Sequence, residues 1–240
     1  DIEKYLAENG LELDNLGEES WIISSKAEYG IRKFNNGLAF TSSRIRDRLI
    51  QHNYLRDVSK LTAIYKVNSA TDKNAELVEI KKLRQSNDGP HAAFGYTYVI
   101  SRSFRASVED KIVLGLYFYQ LNDKGELEST SDFPYNSPEY SITHPAYSAN
   151  GDTLFFASDM PGGFGGFDIY YAIYRDDVWS SPKNLGEPIN TSRNELFPYS
   201  DKGTLYFASN GHAGLGGLDL YKSMVQKDQL IVENLGSPIN

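Results

Sequence analysis

A fourteen-residue phrase occurs twice, 51 positions apart, and constrains this chain more than any other feature. The first copy runs Ala157-Ser158-Asp159-Met160-Pro161-Gly162-Gly163-Phe164-Gly165-Gly166-Phe167-Asp168-Ile169-Tyr170. The second runs Ala208-Ser209-Asn210-Gly211-His212-Ala213-Gly214-Leu215-Gly216-Gly217-Leu218-Asp219-Leu220-Tyr221. A second phrase, Asn184-Leu185-Gly186-Glu187-Pro188-Ile189-Asn190, returns as Asn234-Leu235-Gly236-Ser237-Pro238-Ile239-Asn240, shifted by 50. Register held over a whole repeat indicates an array of supersecondary units, each of which needs a neighbour to bury its apolar face.

Each unit reads as antiparallel strands. Asn150-Gly151-Asp152 leads into Thr153 to Ser158, and Asp201-Lys202-Gly203 into Thr204 to Ser209, turn residues that supply the φ > 0 positions of a tight hairpin. Short strands with an early proline lie upstream, at His144 to Ser148 and Phe197 to Ser200. A third strand follows the glycine loop, from Asp168 to Tyr174 or Asp219 to Val225, with a fourth near Trp179 or near Leu230 to Val232. Four short strands in about fifty residues make one propeller blade. Two weaker units precede. In one, Asn36-Gly37 turns into Leu38 to Ser43, with Leu61 to Tyr65 as the third strand; in the other, Tyr96 to Ser101 and Ile112 to Tyr117 fill these roles. Phe40, Tyr98, Phe156 and Phe207 then become equivalent, at intervals of 58, 58 and 51. Polar insertions at Arg44 to Lys60 and Arg102 to Lys111 replace the glycine loop. The expected fold is an all-β propeller of four-stranded antiparallel blades at 21–75, 76–132, 133–190 and 191–240, after a linker or helix end over 1–20, where Ile2, Tyr5 and Leu6 have helical spacing.

The bulk composition narrows the function. Net charge is −8 with no concentrated basic face, since Lys81-Lys82-Leu83-Arg84 is short and flanked by Glu79, so nucleic acid is not an expected partner. No window reaches a membrane span, and Asp1-Ile2-Glu3-Lys4 is not a signal peptide, which points to a removed leader or an excised segment. The chain has no cysteine, hence no disulfide, thiolate ligand or lipobox anchor. Its 17 Tyr and 12 Phe fall largely in β-type runs, where they are expected to form core between blades rather than a sugar-stacking surface.

The glycine loop invites a phosphate-binding reading, which needs a helix opening at the last glycine and a lysine; a strand follows Gly166 and no lysine is present. The loop is therefore expected to be structural. Gly162, Gly163, Gly165, Gly166 and Gly214, Gly216, Gly217 would permit φ > 0 and close approach, Asp168 and Asp219 would accept backbone N–H bonds, and Tyr170 and Tyr221 would complete the blade motif. Gly166→Ala is expected to cost more than about 1 kcal/mol if that residue has φ > 0. Carboxylates that could serve a propeller glycosidase are Asp159, Glu195 and Asp201; Asp176-Asp177 suits a hairpin tip, and Asp152 and Asp201 suit turns. His52, His91, His144 and His212 lack metal-ligand spacing, and Ser158 and Ser209 lack a nucleophile elbow. Neither a metal, a cofactor nor catalytic residues are expected, and the chain is read as not an enzyme.

The order His144-Pro145, Ser148, Asn150-Gly151, Leu154 to Gly163, Asp168-Ile169-Tyr170, Trp179, Pro182, Asn184-Leu185-Gly186 and Ile189-Asn190-Thr191 resembles the PD-type (TolB/WD-like) β-propeller of Bacteroidota OmpA-family envelope proteins. Glu195, Phe197-Pro198, Leu205 to Ser209, Gly211-His212 and Gly214 to Tyr221 carry the likeness onward. It is close over 133–240 and weaker back to Asn15-Leu16. The resemblance, which includes PorE-like members of the type IX secretion and gliding apparatus, implies a periplasmic or outer-membrane-associated scaffold that binds other cell-envelope proteins. It further implies about six blades, so that four would be part of a larger ring. Helical repeats and the OmpA-like domain are absent from these 240 residues, so peptidoglycan contact would run through a domain outside them. Glycan or peptidoglycan-fragment binding and glycoside hydrolysis are the alternatives.

Overall fold

The computed structural model describes residues 28–34, 37–42, 53–54, 57–60, 63–67, 75–78, 88–105, 112–122, 126–226, 229–237 and 239–240. Every regular element among them is a strand. The expected N-terminal helix end at 1–9, and His52, lie outside the described residues. The chain divides into two compact units, 1–79 and 80–240.

The first unit holds β1 (Glu28–Phe34), β2 (Gly37–Ser42), a small hairpin of β3 (Asn53–Tyr54) and β4 (Asp57–Lys60), β5 (Ala63–Val67) and β6 (Glu76–Leu77). β1, β2, β5 and β6 form one antiparallel sheet in that order. β3 and β4 fall within the expected polar insertion. β6 takes the junction of the first blade past the expected boundary at 75.

The second unit holds three such sheets. β7 (Asp88–Phe94), β8 (Thr97–Arg105), β9 (Ile112–Leu121) and β10 (Leu127–Asp132) pair in sequence. β8 continues through Arg105, so the second insertion begins later than Arg102. The third sheet consists of β11 (Ile142–Tyr147), β12 (Thr153–Ser158), β13 (Asp168–Arg175), β14 (Val178–Trp179) and β15 (Lys183–Asn184). Its outer strand is split: β14 pairs with the end of β13 and β15 with its middle, on either side of Pro182, which has no N–H to give. β16 (Glu195–Asp201), β17 (Thr204–Ser209), β18 (Asp219–Gln226) and β19 (Gln229–Asn234) complete the fourth. The first strand β11 adjoins β7 of the blade before it and β16 of the blade after it, as the inner edges of neighbouring blades must. The fold is thus an all-β propeller built of four-stranded antiparallel blades.

Local chemistry accounts for the hairpins. Gly151 has φ +77° and Gly203 φ +83°, as the Asn-Gly and Asp-Lys-Gly turns require, and Asp176 and Asp177 form the positive-φ tip between β13 and β14. Each first strand carries a register shift, between Tyr29 and Arg32, Asp88 and His91, Thr143 and Ala146, and Leu196 and Tyr199. Such a bulge re-aims the backbone and tolerates Pro90, Pro145 and Pro198 inside it, since an inner-edge strand leaves one side of its ladder unpaired.

The four residues equated by spacing each stand opposite a tyrosine on the third strand: Phe40 with Tyr65, Tyr98 with Tyr119, Phe156 with Tyr170 and Phe207 with Tyr221. Between the second and third blades, Val99, Leu116 and Phe118 pack with Phe133, Ile142, Leu154, Phe156 and Tyr170. Trp179 stacks on Phe118 at 5.5 Å, which places it in this core. Between the third and fourth, Phe155, Ile169 and Ile189 meet Leu205, Phe207 and Tyr221.

Candidate functional site: the glycine-loop face

At one end of the third and fourth blades, the loops from β12 to β13 and from β17 to β18 project beside the starts of β11 and β16. A strand, not a helix, follows each loop, which removes the geometry that phosphate binding requires. The loops are tied from within. The buried Asp168 carboxylate accepts from the N–H groups of Phe164 (2.5 Å) and Gly165 (3.2 Å) and from Asn184 Nδ2 (2.9 Å). Asp219, also buried, accepts from the Leu215 N–H and from the Gly216 N–H at 3.3 Å. Tyr221 donates to the Ala213 carbonyl at 3.0 Å, and Tyr170 reaches the Met160 carbonyl at 3.4 Å. A Cβ on Gly163 or Gly214 would run into the aspartate that holds its loop, so both positions exclude a side chain.

The third-blade loop is also latched to the fourth blade. Gly166 N–H donates to the Arg193 carbonyl (2.7 Å), Phe167 N–H to Asn194 Oδ1 (3.0 Å), and Glu195 N–H to the Phe167 carbonyl (2.7 Å). This corrects the reason expected for Gly166. Its φ is not among the positive ones, which in this loop belong to Gly162 at +91°; what Gly166 permits is close approach to Asn194.

The Asn-Leu-Gly-x-Pro-Ile-Asn phrase performs a related task. Gly186 N–H donates to Asn184 Oδ1, and the Ile189 and Asn190 N–H groups donate to the Gly186 carbonyl, which closes a compact turn. Asn190 then brackets Ile169, accepting from its N–H at 2.8 Å and donating to its carbonyl at 2.9 Å. Asn240 does the same to Leu220, at 2.7 and 3.0 Å. The phrase is a clasp that fixes where the chain leaves one blade.

The candidate acids Glu195 and Asp201 stand at opposite ends of β16. Glu195 is fully buried, and its carboxylate accepts from Thr191 N–H (2.8 Å), Thr191 Oγ1 (2.7 Å) and Ser209 Oγ (2.6 Å). Asp201 closes the opposite end of β16 against Thr204, six residues away; at about 3.3 Å per residue that is roughly 20 Å, far outside the separations of a glycosidase pair. Asp159 accepts from Ser141 N–H at 2.6 Å. Asp152 holds the β11–β12 turn through Thr153, Asn150 and Ser148, hydrogen bonds that lower its pKa. Ser158 donates to the Ser141 carbonyl and accepts from Met160 N–H, and so is held in the blade frame.

Among the described residues no group of three or more His, Cys, Asp or Glu is placed to hold a metal. His212 Nε2 lies 2.9 Å from the Ile189 carbonyl with its ring 5.0 Å from that of Tyr221, between blades. His91 is buried on β7. His144 and Phe197 occupy the bulges of neighbouring first strands with φ of +51° and +53°, and their rings lie 3.8 Å apart. Burial pushes the His144 imidazole down from 6.5 to about 4. Sequence reasoning missed this contact; the shared residue-Pro signal at 144–145 and 197–198 could have revealed it.

The loop tips are exposed and apolar: Phe164 is 51% and Leu215 73% accessible, and they occupy the same repeat position. Leu218, just before β18, and Phe197, near the start of β16, are exposed as well.

No protein-family model and no curated protein matches the chain. Solved structures do. One is a puromycin-hydrolyzing peptidase of Mycobacterium tuberculosis, 10% identical with a TM-score of 0.42 over 86% of this chain and 37% of that one. Another is an α-L-arabinofuranosidase of Clostridium thermocellum, 9% identical with a TM-score of 0.48 over 95% of this chain and 78% of that one. A prolyl endopeptidase is 9% identical with a TM-score of 0.41 over 97% and 39%. The chain spans well under half the length of both peptidases. All three similar proteins are hydrolases, which corrects the expectation that this chain is not an enzyme: that exclusion is withdrawn. At such identities the likeness concerns the fold and transfers no reaction.

Proposed function

We propose that this chain is a protein-docking propeller that holds its partner on the glycine-loop face. The observation that carries this is the pair Phe164 and Leu215: large apolar side chains held out in water, at equivalent positions, on loops that buried aspartates keep rigid. Exposed apolar anchors on a preorganised frame lose little ordering entropy on binding and are what a docking surface needs. The resemblance of the repeats to envelope propellers supports cell-envelope proteins, periplasmic or outer-membrane-associated, as the partner class, with secretion or gliding assemblies among them.

The test is a Phe164→Glu/Leu215→Glu double variant. Both sites are exposed, so its stability should stay within about 1 kcal/mol of the parent's. A partner crosslinked in envelope extract, identified by mass and rebound in purified form, should lose affinity at least tenfold. Undiminished affinity would refute the reading. Turnover of a glycoside or peptide panel that the double variant leaves intact, with no partner recovered, would replace it by catalysis elsewhere on the propeller.

A further inference from the structure

At the end of the blades opposite the glycine loops, the gaps between neighbours are filled differently. Between the second and third blades, the Phe94 ring at the end of β7 lies across Gly151, so close that a Cβ there would fall 2.5 Å from Phe94 Cγ, and 6.1 Å from the Tyr147 ring. Pairing identifies the counterparts one blade further on. Ser200 stands opposite Leu205 as Tyr147 stands opposite Leu154, and Gly203 is the positive-φ turn glycine of the fourth blade as Gly151 is of the third. The large ring of Tyr147 is thus replaced by a serine. At the pairing position of Phe94 the third blade has the small Ala146, and its turn residues Ser148, Ala149 and Asn150 border the gap to the fourth blade. A Cβ on Gly203 would meet nothing within 4 Å.

The outcome is an open cleft of about 340 Å³ whose lining includes the apolar Phe155 and Leu205 and the polar Ser148, Asn150, Ser200 and Thr204. No ionisable side chain lines it, which selects a neutral occupant. The Ser148 hydroxyl and Asn150 amide are engaged with each other and with Asp152. The Ser200 and Thr204 hydroxyls have no protein partner among the described residues and are available to a ligand. Apolar walls without facing atoms forgo dispersion contacts that a flat ring would restore.

We infer that this cleft binds the phenol ring of a tyrosine on a partner polypeptide, which takes the space that Phe94 and Tyr147 fill in the preceding gap. The ring would lie on Phe155 and Leu205, and its hydroxyl would meet those of Ser200 and Thr204. The site is at the other end of the sheets from Phe164 and Leu215, so this reading and the docking reading above fail separately.

The experiment is an amide-resolved NMR titration of the intact chain with N-acetyltyrosinamide. Saturable shifts at Gly203, Ser200 and Asn150 are expected, weaker ones with N-acetylphenylalaninamide, and none with methyl glucoside. Ser200→Tyr and Ala149→Phe, which fill the cleft, should each abolish the shifts and raise the melting temperature. Absence of saturable shifts in the parent chain, or equal shifts with the glucoside, would overturn the assignment. So would shifts that persist in both filled variants.

Discussion

Gly165→Ala separates the latching role of the glycine loop from every other role a glycine can have. A Cβ at Gly165 would lie 2.6 Å from the Thr191 carbonyl oxygen, 2.7 Å from the Arg193 nitrogen and closer still to the Arg193 carbonyl oxygen. All three are backbone atoms and cannot rotate away. Its φ is not positive, so no conformational strain is added by alanine itself. The loop must retreat, which strains or breaks the three hydrogen bonds that join Gly166 and Phe167 to Arg193, Asn194 and Glu195. At about 0.5–1.5 kcal/mol each, the loss is about 2–4 kcal/mol. For a chain of 240 residues that corresponds to a drop of about 4–16 °C in melting temperature. Gly216 is the repeat counterpart and the internal control, since a Cβ there meets only Asp219 Oδ1, at 3.6 Å. Gly216→Ala should change stability by no more than about 0.5 kcal/mol. Paired urea titrations read both. Equal effects at the two positions would refute the latch and return the loop to a purely conformational explanation.

Asn190→Ala should cost about 2–4 kcal/mol, because it strips both partners from the buried Ile169 backbone, whereas Asn240→Ala, at a more exposed clasp, should cost less than about 1 kcal/mol; chemical denaturation compares them. Asp168→Asn replaces an acceptor of three hydrogen bonds by a group that presents a donor, so a loss of about 2–3 kcal/mol and faster proteolysis within 160–167 are expected; an unchanged cleavage pattern would count against the tether. His144 supplies a pH signature. Its folded pKa of about 4 lies below the unfolded 6.5, so the unfolded chain binds the extra proton between those values. Its contribution is complete above about pH 6.5 and is lost as pH falls towards 4, some 1–3 kcal/mol in all. His144→Asn, a residue that tolerates the positive φ, should flatten that part of the stability profile; superimposable profiles would rule the assignment out.

The repeat period, strand order and hairpin turns were legible in the sequence because each is written locally. Alternation of period two marks a strand, and Asn150-Gly151 or Lys202-Gly203 marks a turn wherever the chain is placed. The aspartates of the loop motif were legible for the same reason, since Asp168 and Asp219 bond N–H groups only three and four residues away. What tertiary structure decided is how the blades meet. Glu195 is a candidate acid in sequence and a buried structural acceptor in space because Ser209, fourteen residues on, is brought opposite it by β17. Gly165 is required by the backbone of Thr191 and Arg193 and Gly166 by the Asn194 side chain, not by their own torsions. The cleft between the third and fourth blades is lined by Ser148 and Ala149 from one turn and by Ser200 and Gly203 from another about fifty residues on, and only their apposition in space creates it, whereas Phe94 and Tyr147 meet across the preceding gap. Propensities act over a few residues and repeat from blade to blade; packing acts across the gap between blades, where a serine at Ser200 in the place of Tyr147 changes what fills it.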